Sequence, residues 1–241
     1  MKVLVVDVGG SSIKVSTNGR NKPIRIPSGP ELTAAHMASA VKQSTAGWEY
    51  EAVSIGYPGP VVHGRPGAEP KNLGAGWVRF DFHKAFGKPV KVVNDAAMQA
   101  LGSYQGGRML FLGLGTGLGS ALVADGVLEP LELAHLPYRN GRSYEDYVGL
   151  RGFKRLGRRK WQAHVEKVVE LLKRGLQVDY VMLGGGQTKN LKRLPAGVRL
   201  GDNSHAIRGG IRLWDDTARK HRDGGPAAIA RDGARITATR L

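Results

Sequence analysis

Cysteine is absent from the 241 residues, which rules out disulfides and thiolate metal centres. Long apolar runs are missing too. Only four consecutive apolar residues, Val3 to Val6, follow Lys2 before Asp7 interrupts, too few for a signal peptide, and no run approaches membrane-spanning length. The expectation is a soluble, cytoplasmic protein without a membrane partner. Acids are scarce against bases, 20 to 36, for a formal net charge of +16. That balance favours polyanionic partners such as nucleotide, polyphosphate or nucleic acid. Helix-turn-helix, zinc-finger and RNA-recognition signatures are missing, and aromatics at 7% are thin for stacking bases. A nucleic-acid role would rest on charge alone and is not expected.

Glycine is plentiful, 35 residues, about twice its usual share of roughly 7%. It gathers at strand ends and turns, which points to a turn-rich α/β protein. Two stretches stand out: DVGGSSIK, Asp7 to Lys14, and LGLGTGLGS, Leu112 to Ser120. Each follows an apolar run and leads into another, so each reads as strand, glycine-rich turn, strand. Taken singly, either is equally an ordinary hairpin turn in which glycine supplies positive φ. Their repetition about a hundred residues apart suggests two walls around one phosphate chain, since successive bare N–H groups make a concave anion site. Only the first copy ends its strand in an acid, Asp7, where the second has Gly113. One carboxylate at one wall suits a site that helps hold a single Mg²⁺.

Between the two, a helix is expected over residues 33–44 with Thr33 as N-cap and Met37, Ala40, Val41 and Ser44 on its apolar face. A strand follows at 52–55. The proline- and glycine-rich stretch from His63 to Gly76 holds no periodicity and runs into NLGAGW. There Asn72 offers a donor and an acceptor to a sugar hydroxyl, and Trp77 an apolar platform; equally, Asn72 is a turn former and Trp77 core. KPVKVV runs directly into NDAAMQALGSY. Asp95 therefore lies at a strand-to-helix junction, as an N-cap, as a carboxylate aimed into a cleft, or as both.

Beyond the second turn, Glu132 and His135 are three residues apart in LELAH; no third ligand at metal-binding spacing follows. Arg151 to Trp161 carries six basic residues and no acid, a solvated helix face or a track for an extended polyanion. Residues 162–174 read as a helix and 179–183 as the last clear strand. A third glycine turn, Gly184, Gly185 and Gly186, then suits an adenine ring or a phosphate lying against the backbone. A final helix is expected over 206–214 and a disordered tail over 218–241.

In family order from Met1 to Trp214, these motifs resemble the ROK-family bacterial sugar kinases, in the glucokinase and polyphosphate glucokinase branch of the sugar kinase, Hsp70 and actin superfamily. The resemblance implies two ribonuclease-H-like lobes flanking a cleft. Residues 1–97, completed by a helix near 205–217, would form one lobe, and 98–204 the other. It implies phosphoryl transfer from ATP or inorganic polyphosphate to the 6-hydroxyl of glucose or a related hexose. Asp95 would be the catalytic base, with Asn72, Asn94, Glu132, His135 and Glu145 on the sugar. Gly9, Gly10, Ser11, Lys14, Gly115, Thr116, Gly117 and the Gly184 to Gly186 turn would hold the nucleotide or phosphates, and Asp7 would help place Mg²⁺. A homodimer is a further expectation. The family's zinc cysteines are missing before Glu145, so no zinc is expected. ELAH stands where the family has ELGH. If that position needs positive φ, Ala134 would strain the loop that carries His135. A non-catalytic sugar or nucleotide sensor is the alternative.

Overall fold

A computed structural model describes residues 1–20, 22–202 and 204–215. Numbering only the strands of the two main sheets, the first sheet holds β1 (Val3–Val8), β2 (Ser12–Thr17), β3 (Ile24–Pro27), β4 (Ala52–Tyr57) and β5 (Val90–Asn94). The second holds β6 (Arg108–Leu114), β7 (Leu118–Ala124), β8 (Val127–Leu131), β9 (Tyr180–Gly184) and β10 (Val198–Leu200). The strand orders are β3-β2-β1-β4-β5 and β8-β7-β6-β9-β10. In each, the first three strands pair antiparallel and the last two join in parallel. The chain thus repeats one five-stranded plan twice. The expected α/β class with two ribonuclease-H-like lobes is what the structure has.

The central strands explain their own positions. All six residues of β1, VLVVDV, and all five of β9, YVMLG, are buried, as near-continuous apolar runs must be when both faces of a sheet are covered. The first core gathers Leu4, Val6, Ile13, Met37, Ile55 and Trp77, and the second Leu110, Leu112, Trp161, Val165 and Leu183. Helix α1 (Ala34–Ser44) starts at Thr33, whose hydroxyl accepts from His36 N–H. Its buried face is Ala34, Met37, Ala38 and Val41. The expected Ala40 and Ser44 lie outside it, because the stripe runs through i, i+3, i+4 and i+7 from Ala34. The short α2 (Phe82–Phe86) closes the first lobe.

Two helices join the lobes. α3 (Asp95–Ser103) leaves β5, and α6 (His205–Arg212) crosses it. Gly102 and Gly209 let the two backbones touch: a Cβ on Gly102 would lie 2.6 Å from the Gly209 nitrogen. α6 also packs on β1 and β4, where the Ser54 hydroxyl donates to Gly210 O at 2.6 Å and accepts from the Trp214 indole N–H at 2.8 Å. In the second lobe, α4 (Tyr144–Val148) leads to α5 (Leu150–Gly175), which is interrupted at Gly157, where φ is 72°. Among the described residues no helix is long and apolar enough to cross a membrane. The expected tail lies outside the described residues.

Candidate active site

The sequence motifs converge at the carboxyl ends of the parallel strands, where open α/β sheets place their ligands. Register sets Asp7 of β1 beside Gly56 of β4, Tyr57 beside Asn94 of β5, and Gly113 beside Gly184. None of Gly9, Gly10, Gly115 and Gly117 has a positive φ, so the ordinary hairpin explanation for these glycines fails. Two have an internal reason to lack a side chain. A Cβ on Gly9 would stand 2.9 Å from Ser12 O, and one on Gly117 would run into the Glu145 carboxylate. At Gly115 a Cβ would meet nothing within 4 Å. Glycine there leaves the backbone open on that side.

The first turn is closed by Gly9 N–H donating to Ser12 O at 3.2 Å, and stapled to the end of β3 by the Ser28 hydroxyl donating to Gly9 O at 2.6 Å. Gly10 and Ser11 remain exposed, and Asn72 sits beside them, its Cβ 3.5 Å from where a Gly10 Cβ would be. Lys14 Nζ pairs with Asp7 Oδ2 at 3.2 Å. Asp7 is buried, which pushes its carboxyl above the usual range, while the Lys14 and then Arg25 charges pull it back. Arg25 is a neighbour of this pair that motif reading missed. Strand pairing sets Asp7 opposite Lys14, and Lys14 opposite Arg25, in one charged row across three strands. The clue was the cation in IRIP, visible only once β3 is paired.

Asp95 opens α3, with Asn94 rather than Asp95 as the N-cap. Asn94 Oδ1 accepts from Ala96 and Ala97 N–H, at 2.9 and 3.2 Å, and Nδ2 donates to Gly59 O at 3.0 Å. The cap is therefore Asn94's structural task, and Asp95 is released one position into the first turn. Asp95 is half-buried. Its desolvated surroundings, then the Asp7 charge and, less strongly, Glu132, push it up to about 7, against backbone N–H groups that pull it down. Immediately after it, Ala96 packs on Gly119 of the second hairpin; one turn further on, Gln99 approaches Gly184. The head of α3 thus packs on the second hairpin at Gly119 and feels the charge of Asp7 on the first. Gln99 was not anticipated, since a glutamine in a helix carries no signal of its own.

Glu132 and His135 are exposed, and Glu132 is close enough to raise Asp95. Ala134 between them lies in a single 3₁₀ turn, Leu133–His135, and is not among the residues with positive φ. The feared strain is absent because that turn needs no left-handed residue. Glu145, on α4, accepts the Leu118 N–H at 3.1 Å. Gly185, with φ at 85°, lies against the carbonyl of Leu114 at the end of β6, so the third glycine turn abuts the second. Trp77 is fully buried and stacks against Tyr57 and Phe82, with ring centroids 5.6 and 6.4 Å apart. It is core and offers no platform to a sugar. A groove of about 710 Å³ lined by Lys2, Lys42, Trp48 and Lys88 lies at the opposite end of β1 and holds none of these residues.

This doubled sheet is the two-lobed, actin-like fold that solved ROK-family sugar kinases have. The solved structures it is similar to include the inorganic polyphosphate/ATP-glucomannokinase from Arthrobacter sp. strain KM. That likeness has a TM-score of 0.75 at 24% identity and covers 91% of this chain and 99% of the other. A ROK family glucokinase from Streptomyces griseus, in complex with glucose and AMPPNP, superposes with a TM-score of 0.65 at 18% identity, covering 88% and 99%. A ROK family protein from Streptococcus pneumoniae TIGR4, in complex with sucrose, gives 0.72 at 14%, covering 92% and 100%. No family model and no curated protein matches the sequence.

Proposed function

We propose that this protein is a hexose kinase that transfers a phosphoryl group from ATP or inorganic polyphosphate to the 6-hydroxyl of glucose or a related hexose. The observation that carries the reading is Asp95: a carboxyl at the head of α3, close enough to Asp7 to feel its charge, next to Ala96 on the second hairpin, and raised to about 7. A base poised near neutrality can take the hydroxyl proton as the new bond to phosphorus forms. Asn72, Glu132, His135 and Glu145 hold ring hydroxyls. Asn94 contributes its remaining amide N–H and, through its cap, fixes where Asp95 points. Gly9, Gly10, Ser11, Gly115, Thr116 and Gly117 offer backbone and hydroxyl donors to the phosphates, the Gly184 to Gly186 turn takes the nucleotide end, and Lys14 and Arg25 add positive charge. Closure of residues 98–204 on residues 1–97 excludes water that would otherwise hydrolyse the donor.

Mg²⁺ fits the donor set. The Asp7 carboxylate is a hard oxygen ligand at the end of β1. That suits an ion held by one or two carboxylates and the donor's phosphates. When bound, it neutralises charge on the phosphoryl group. Asp7, already paired with Lys14, would hold it on the first wall.

For the donor, ATP agrees with the third turn and polyphosphate with the exposed cations of α5 from Arg151 to Lys160. A sensor that binds sugar without turnover is the second reading, and the relaxed backbone at Ala134 removes its main motive. The deciding experiment offers ATP and polyphosphate separately across several hexoses and measures sugar 6-phosphate. Product with either donor supports the kinase. Sugar-induced thermal stabilisation with no product from any pair supports the sensor.

A further inference from the structure

Glu145 has so far been assigned only to the sugar, yet its carboxylate bonds and pairs with the second glycine turn and the helix start beside it. Its Oε2 accepts the Leu118 N–H at 3.1 Å and occupies the space that a side chain on Gly117 would need. Oε1 faces the Arg151 guanidinium at 3.5 Å. The backbone of the same segment holds the turn's other edge: Leu150 N–H is shared between Gly115 O and Thr116 O, 3.2 Å from each. Gly149 lies so close that its Cβ would stand 3.0 Å from Thr116 O. The segment is itself well fixed. Ser143 and Asp146 form a reciprocal capping box at the start of α4, and the Trp161 indole N–H donates to Val148 O at 2.8 Å. A firm element thus grips residues 115–118 by carbonyls on one side and by one N–H on the other.

We infer that Glu145 is a positioning residue for the phosphate donor, ordering the second glycine turn through the Leu118 N–H. This rests on the kinase reading and deepens it: the carboxylate serving the acceptor also shapes the donor's wall, so the two substrate sites are coupled through one side chain. Gly117 is then glycine to admit Glu145. Because Gly117 has no positive φ, alanine there avoids left-handed strain, and the nearest atoms its methyl meets are those of the Glu145 carboxylate.

The test is binding of ATP and of tripolyphosphate, each with Mg²⁺ and without any sugar, by calorimetry. A residue that touched only sugar would leave these affinities unchanged. Glu145→Ala is expected to weaken both about 10-fold, the scale of one lost charge-assisted hydrogen bond. Glu145→Gln keeps an acceptor for Leu118 N–H and stays within about 3-fold by the same reasoning. Gly117→Ala alone weakens donor binding, and adding Glu145→Asp, whose shorter chain relieves the clash, restores part of it. That pair stands even if Glu145→Ala does not fold. Gly117→Ala on top of Glu145→Ala adds little, because both remove the same contact. Unchanged donor affinity in Glu145→Ala, or no rescue by Glu145→Asp, overturns the inference while the kinase reading survives. Wild-type protein that binds neither donor overturns both.

Discussion

Replacing Asp95 by asparagine should stabilise the folded protein while disabling it, and the effect should grow with pH. The folded protein holds the Asp95 proton up to about pH 7, whereas the unfolded chain releases it near 3.8, the ordinary value for an aspartate. Between those values the native state binds the extra proton, so wild-type stability falls as pH rises. A shift of about 3 units at about 1.4 kcal/mol each sets a ceiling of roughly 4 kcal/mol at pH 8, against roughly 1.6 kcal/mol at pH 5. Asparagine keeps an acceptor for the Ala96 N–H, bonded at 2.8 Å in the wild type, and carries no charge to desolvate. The advantage of Asp95→Asn should therefore widen by about 2 to 3 kcal/mol between pH 5 and pH 8. In a chain of this size that is roughly 5–10 °C in Tm. Paired thermal melts at the two pH values test it. If the variant's advantage stays constant or shrinks with pH, Asp95 is not the strained, protonatable group described here.

Turnover should follow the same titration in the opposite sense: kcat/KM rises through about pH 7 to a plateau as Asp95 ionises, and a profile flat from pH 5.5 to 8.5 would count against its role as base. Gly115→Ala should leave Tm unchanged within about 2 °C, because its methyl meets nothing, yet raise the donor KM about 10-fold; normal donor KM would remove that turn from the phosphate site. Gly102→Ala drives a methyl into the α6 backbone and should cost about 3 kcal/mol or more in urea unfolding; a neutral result would mean that the α3–α6 crossing yields easily. With polyphosphate as donor, activity should fall steeply between 50 and 300 mM salt and much less so with ATP, as a screened basic face requires; matching salt curves would exclude the Arg151 to Lys160 face.

The doubled hairpins, the strand-to-helix junction at Asp95 and the third glycine turn could all be read in advance, because each is a local pattern of apolar run, glycine and polar switch. What escaped were features that exist only after pairing. The edge strands β8 and β10 are mostly exposed and carry no alternation, so only their neighbours identify them. The Asp7–Lys14–Arg25 row needs strand register, and Gln99 needs the closeness of α3 to Gly184. The cap fell to Asn94 and not to Asp95 because two adjacent residues both favour it, and sequence alone does not say which takes it. Trp77 turned inward since Tyr57 and Phe82 offer it more apolar contact than an open loop could.

The most direct measurement is single-turnover transfer by Asp95→Asn with glucose bound, set beside its glucose affinity. The account predicts affinity within a few-fold of wild type and a transfer rate lower by roughly 10²–10⁴, the usual worth of a positioned base. Transfer within a few-fold of wild type would contradict it.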